Sequence, residues 1–337
     1  MEATRDQVDR RLDLIGLNAD TLRQMYSIMV LARVLDEHTW ILNRQGKAHF
    51  TITGRGHEAA QVGSVFALRR GRDFFVPYYR DLAVPLALGM TPFQVLLGVL
   101  GREGDPFSGS RQLPFHASAP DLRIVSGSSS VASQIPHAAG IALASKLRGE
   151  DDVTIVYFGD GATSKGDFHE GINFAAVHRL PVIFFCENNG WAISVPLRKQ
   201  MVVPDVAARA SSYGVAGVTV DGCDLIAVYE ATRAAADRAR RGEGPTLIDA
   251  KTVRLTAHSS DDDETRYRSP EDREEARRRD PLPRTRQQLL QAGLLTEDDD
   301  RSIWQQAREA VEAASVAAEA TPYPPPADAL THVYAES

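Results

Sequence analysis

Cysteine is nearly absent: Cys186 and Cys223 are the only two, and neither belongs to a CxxC or a Cys/His array. That excludes a disulfide framework and a structural zinc site, and makes a reducing, cytoplasmic compartment the expectation. Positive charge is not in excess either. The 38 Lys and Arg are outnumbered by 45 Asp and Glu, for a net charge of −7, so no nucleic-acid partner is expected. Residues 1–20 are charged and lack the apolar core of about 7–15 residues that a signal peptide needs. Long hydrophobic runs are missing too, with one stretch to weigh. Residues 82–101 carry no charge over a length that could span a bilayer, but Pro85, Gly89 and Pro92 interrupt them. Thr91-Pro92 reads as a helix N-cap followed by proline at the first helical position, so this stretch is expected to form two short buried elements and no membrane contact.

What remains is ordinary globular composition, 43% hydrophobic and 25% charged, long enough to bury a large core. Leu22, Met25, Met29, Ala32 and Leu35 recur at helical spacing, predicting an amphipathic helix over about 21–45. A second helix is expected over 54–68, a strand over 73–79, and an irregular Gly/Ser/Pro-rich stretch over 104–130. Val153 to Phe158 and Val182 to Cys186 are continuous apolar runs, as in buried parallel strands, with a helical stretch 168–177 between them. Residues 215–220 and 246–250 read as further strands around a helix over 225–241. This alternation predicts an α/β fold, a doubly wound and mostly parallel sheet with helices on both faces. Residues 260–280 are highly charged and read as solvated. A closing helix is expected over 302–320, before a Pro-rich tail. No repeat or linker divides the chain, so the domain reading is an N-terminal extension, 1–20, one α/β domain, 21–321, and a tail, 322–337.

Gly159-Asp160-Gly161 stands where a strand gives way to a loop and a helix, the place where open α/β sheets bind ligands. A Walker A loop is excluded, because Gly166 is followed by Asp167-Phe168 and not by Lys-Ser/Thr. A dinucleotide fingerprint has Ser164 where its third glycine belongs, although Glu187 at the next strand end keeps a nicotinamide-dependent oxidoreductase among the readings. Asp160 argues for something else. A carboxylate aimed at a pyrophosphate repels it unless a cation lies between, and magnesium takes one or two protein oxygens with the rest from phosphate and water. Asn189 can supply such an oxygen from the next strand end. Twenty-six residues lie between Gly161 and Asn188, enough for a crossover helix to bring the two loops side by side. Singly, each sequence is a common turn; together, at adjacent strand ends, they read as a site.

Gly159-Asp160-Gly161 followed by 26 residues and Asn188-Asn189 resembles the thiamine diphosphate motif. The wider stretch YFGDGATSKGDFHEGINFAAVHRLPVIFFCENNGWAIS is similar to the alpha subunit of the decarboxylating component of 2-oxo acid dehydrogenase complexes. The resemblance runs from about Thr21 to beyond Gly293 through QGKAHFTITGRGHEAAQVGS, PYYRD, SRQLPFH, SSSVASQIPHAAG, VDGCDLIAVYEAT and RLTAHSSDDDETRYRS. It implies thiamine diphosphate with magnesium held by Asp160, Asn189 and the backbone carbonyl of Trp191, where family members often carry Tyr. Tyr79 and Arg80 match the pair that contacts the diphosphate, a task suited to the planar fork of arginine. Ser129, Val131, Gly161 and Ala162 match positions that face the cofactor. Ser128, Ser133 and Gln134 match a potassium-binding loop of branched-chain relatives, with Ser130 where those carry Pro. Family members can have a diphosphate-facing Arg where this chain has Glu187.

His258 matches the catalytic histidine near the thiazolium ring that assists acyl transfer to lipoamide, and Ser259 a position phosphorylated in animal relatives; no regulation is assigned to it. The activity implied is oxidative decarboxylation of a 2-oxo acid with reductive acylation of a lipoyl domain. QGKAHFTIT, SRQLPFH and SSSVASQIP favour branched-chain substrates, with pyruvate as the alternative. The implied partners are a beta subunit, in an assembly of two alpha and two beta chains, and the lipoyl domain of an acyltransferase. The beta chain would supply the Glu that activates the aminopyrimidine, for which this chain offers no candidate.

Overall fold

The computed structural model describes residues 16–331 and 334. Helix α1 (Ala19–Arg44) is capped by Asn18, whose side chain accepts from the Thr21 amide. After α2 (Glu58–Phe66) comes β1, reduced to Phe74–Val76 because Pro77 has no N–H to continue the ladder. The uncharged stretch forms α3 (Ala83–Leu88) and α4 (Pro92–Leu100), the second opened by a Thr91/Gln94 capping box. Among the described residues no helix is long and apolar enough to cross a membrane.

The centre of the molecule is a sheet whose strands pair in parallel. Strands β1, β2 (Thr154–Gly159), β3 (Val182–Asn188), β6 (Ala216–Val220) and β7 (Thr246–Lys251) stand in the order β1-β2-β3-β7-β6. Between β3 and β6 a short antiparallel ribbon, β4 (Trp191–Ala192) and β5 (Val195–Pro196), folds over the strand ends.

The period of two in the strands sorts their side chains between two cores. Ile155, Tyr157, Ile183, Phe185 and Ile248 pack with α2, α3 and α7 (Leu225–Arg240). Val156, Phe158, Val182, Phe184 and Leu247 pack with α5 (Gln134–Leu147) and α6 (Gly166–Val177) on the other face. Each fully buried Phe contributes roughly 2–3 kcal/mol of hydrophobic stabilisation. A further core joins α1 and α4 to α9 (Pro281–Gln291) and α10 (Glu297–Ala320).

The charged stretch 260–280 departs from its reading as a solvated segment. Ser269 opens helix α8 (Pro270–Arg278) with a capping box to Asp272, and Ala276 and Arg268 are buried. Helix α10 begins five residues before the expected start, at the Thr296/Asp299 capping box.

Candidate active site

The register of the parallel strands decides which loops meet. Phe158 pairs with Cys186 and Gly159 with Glu187, so Asp160 and Asn189 leave the sheet together at its carboxyl edge. Beside them a cavity of about 430 Å³ opens. Its lining contains the ten residues named from the sequence for cofactor, magnesium and catalysis: Tyr79, Arg80, Ser129, Val131, Asp160, Gly161, Ala162, Asn189, Trp191 and His258. A separate open groove between α1 and α10, around His38, Ile41 and Arg308, shares no residue with it.

Asp160 is 1% exposed; one carboxylate oxygen, Oδ2, accepts from Gln200 Nε2 at 2.8 Å, and the other, Oδ1, has no partner. Burial raises its pKa, and the Gln200 N–H opposes that rise only in part. A buried carboxylate oxygen without a donor is costly, and a cation is the natural complement. The amide of Asn189 accepts from the Trp191 N–H through Oδ1 at 3.1 Å, which turns β3 into the β4–β5 ribbon. Gly161 is required by the crowding: a Cβ there would lie 2.8 Å from Ala192 Cβ. Asp160 Oδ1, Asn189 Oδ1 and a backbone carbonyl are hard oxygen donors of the kind that could hold magnesium. No group of three or more His, Cys, Asp or Glu suited to a metal occurs among the described residues.

Arg80 is 3% exposed. Its Nη1 donates to the Thr53 carbonyl at 2.6 Å and its Nη2 to His258 Nδ1 at 3.2 Å. The second bond assigns the imidazole tautomer: Nδ1 accepts, so the proton sits on Nε2. Burial, then the charges of Arg80 and Arg254, push the His258 pKa down to about 4. An ordinary histidine at this position would titrate near neutrality; this one is a neutral N–H donor. The loop behind it is fixed by Asp262, which accepts from the His258 backbone N–H at 2.7 Å and from the Tyr267 hydroxyl. Ser259 is buried.

Ser129 and Val131 lie on the loop before α5, where Ala132 is held at φ +74° with its side chain buried. A non-glycine residue held at positive φ and buried is backbone strain kept at a site. Of the potassium-loop candidates, Ser128 and Gln134 line the cavity and Ser133 does not. Ser133 Oγ nonetheless lies 3.0 Å from Ser128 Oγ, and Gln134 Oε1 is buried without a partner.

Three residues escaped the sequence reading. His116 lines the cavity, its Nδ1 donating to the Leu113 carbonyl at 2.7 Å and its Nε2 accepting from Ser129 Oγ at 2.5 Å. Gln200 restrains Asp160. His57, fully buried, touches both Glu187 and Asn189. Glu187 does not face the cavity. It is 0% exposed and bonded to His57, Gln61 and Tyr78, so it neither opposes a diphosphate nor reaches a nucleotide ribose. The feature that kept a nicotinamide-dependent reading open is thereby accounted for.

Residues 26–327 match the model of the dehydrogenase E1 component family. The chain belongs to that family. The E1 chain is 48% identical to the 2-oxoisovalerate dehydrogenase subunit alpha of Bacillus subtilis, over 97% of this chain and 99% of the relative. It is 42% identical to the 3-methyl-2-oxobutanoate dehydrogenase subunit alpha of Mycobacterium tuberculosis, over 87% and 77% of the two chains. The pyruvate dehydrogenase E1 component subunit alpha of Bacillus subtilis is 39% identical over 94% and 83%. As an E1 chain the protein is part of an enzyme, and its family is thiamine diphosphate-dependent.

Proposed function

We propose that this chain is the alpha subunit of a branched-chain 2-oxo acid dehydrogenase, and that the cavity binds thiamine diphosphate through magnesium held by Asp160, Asn189 and the Trp191 carbonyl. The observation that carries the reading is the buried Asp160 carboxylate, one oxygen unpartnered, beside Asn189 at adjacent strand ends. Bound there, the cofactor supplies the nucleophilic carbon and the electron sink that let a 2-oxo acid lose carbon dioxide.

The chain's own residues supply orientation and electrostatics. Asp160 offers its free oxygen to the cation, Arg80 gives a fixed positive charge to the diphosphate, and Gly161 and Ala162 let the backbone approach closely. Ser129, its hydroxyl proton committed to His116, presents oxygen lone pairs to the cavity. Val131 and the apolar wall of Phe50, Ile52, Leu113 and Ile193 suit an aliphatic acyl side chain. His258, neutral with its proton on Nε2, can hydrogen-bond through that N–H to a dithiolane sulfur where negative charge develops as the acyl group passes to a lipoyl arm.

Asp160 is the one carboxylate among the residues lining the cavity. With that group committed to a cation, activation of an aminopyrimidine needs a carboxylate from another polypeptide. This supports a beta subunit closing the site, in a heterotetramer of two alpha and two beta chains, with the lipoyl domain as the acyl acceptor. The names and identities of the two branched-chain relatives favour such substrates over pyruvate. Potassium at Ser128, Ser133 and Gln134 is supported by the unpartnered Gln134 Oε1. The test is reconstitution with the beta subunit and decarboxylation assays across 2-oxo acids. Branched-chain substrates are expected to give the highest kcat/KM; higher values with pyruvate would overturn the substrate assignment.

A further inference from the structure

We propose that His57, clamped by Glu187, is the positioning residue that turns the Asn189 carboxamide so that its oxygen, and not its nitrogen, faces the magnesium site. The inference rests on the reading of Asn189 as a magnesium ligand and deepens it.

A carboxamide is nearly symmetric in shape, so its orientation is set by hydrogen bonds alone. His57 is 0% exposed at the N-terminus of α2. Its Nδ1 lies 2.5 Å from Glu187 Oε2, and its Nε2 lies 3.3 Å from Asn189 Nδ2. A carboxylate accepts only, so Nδ1 carries the proton and Nε2 presents a lone pair. The group opposite a lone pair must be the NH2 of Asn189. A second restraint, independent of the histidine, agrees: the Trp191 backbone N–H, 3.1 Å from Asn189 Oδ1, requires oxygen there.

The anchor reaches deeper still. Glu187 Oε2 also accepts from Gln61 Nε2 and from the Tyr78 hydroxyl, both at 3.2 Å. Gln61 is itself fixed, because its Oε1 accepts from the Ala83 backbone N–H at 3.0 Å. Donation therefore converges on the Glu187 carboxylate from both ends, from a main-chain amide in α3 through Gln61 on one side and from the Asn189 NH2 through His57 on the other. Outer-shell partners of this kind orient ligands and tune affinity at metal sites.

The test titrates magnesium into the assembled dehydrogenase in the presence of thiamine diphosphate, by calorimetry and by the EPR of manganese(II) used as probe, with thermal unfolding of the cofactor-free protein recorded alongside. His57→Asn keeps a donor for Glu187 at the place of Nδ1 but withdraws the acceptor from Asn189. His57→Gln places an acceptor near Nε2 but abandons Glu187. Magnesium affinity is expected to fall tenfold or more in His57→Asn, with unfolding close to wild type, and to stay within about threefold in His57→Gln, which loses thermal stability instead. The reverse order, with affinity following stability, would show a merely structural role and overturn the proposal. If His57→Asn does not fold, His57→Gln decides alone, a tenfold loss of affinity counting against it. Asn189→Ala separates the two levels. Unchanged magnesium affinity there sinks the magnesium reading itself, whereas a large loss with an inert His57→Asn sinks only the role of His57.

Discussion

The state of His258 at working pH follows from its surroundings and can be measured. With its pKa pushed down to about 4 by burial and by Arg80, imidazolium amounts to about one molecule in a thousand at pH 7. Sign and window follow from linkage. Below the ordinary value of about 6.5 the unfolded chain takes up a proton that the native chain refuses until about pH 4. Stability contributed by the neutral ring is therefore complete above about 6.5 and is lost as pH falls through that window. At pH 5 the ceiling is about 2 kcal/mol, and the ring's partial exposure to solvent discounts it to about 1 kcal/mol. Hydrogen exchange at the imidazole carbon between the two nitrogens, followed by mass spectrometry against pH, reads the titration directly. The inflection is expected near 4 in the cofactor-free protein. In Arg80→Gln it is expected to rise but to stay below the ordinary value, because burial is the larger cause. A wild-type inflection at 6.5 or above would refute the reasoning about this ring and the tautomer assigned to it.

Other consequences are as direct. His258→Ala is expected to slow acylation of a lipoyl domain by about a hundredfold while decarboxylation with an artificial electron acceptor falls less; equal losses with cofactor affinity intact would place the ring earlier in the cycle. The chain without its beta partner is expected to show no turnover in a steady-state assay, since a carboxylate needed for activation is missing from its half of the cavity. Gly56 has φ +97°, and a Cβ there would lie 2.1 Å from the Val253 carbonyl oxygen; Gly56→Ala should cost about 3 kcal/mol or more in denaturant unfolding. Replacing potassium by lithium should lower the unfolding temperature of wild type but not of Gln134→Leu, which removes the buried amide oxygen that would hold the cation; equal response of both would count against the potassium loop.

The central strands were legible because a strand buried on both faces must be apolar throughout, as Val153 to Phe158 and Val182 to Cys186 are. The Asp160 and Asn189 pairing was legible because the crossover length fixes which strand ends become neighbours. Helix α5 was harder to see. Its buried stripe is Ile135, Ala138, Ala139 and Ala142, small residues behind Pro136, which reads as a breaker unless the first turn is recognised as tolerating it. Helix α8 hid in a charged run, where its one clear signal was the Ser269 and Asp272 spacing of a capping box. His57 and Glu187 lie 130 positions apart, and a pairing made by tertiary packing leaves no local trace. Glu187 was misread for the same reason: a charge at a strand end looks exposed until the helix that covers it is placed.

The proposed site depends on a cation held between Asp160 and a diphosphate. Its most direct measurement is the calorimetric titration of thiamine diphosphate into the reconstituted dehydrogenase, with magnesium and with chelator, for wild type and Asp160→Asn. Wild-type binding is expected to require magnesium, and Asp160→Asn to lose both that dependence and at least a hundredfold in affinity while keeping the wild-type unfolding temperature. Tight binding by wild type in chelator, or by Asp160→Asn with magnesium dependence unchanged, would contradict it.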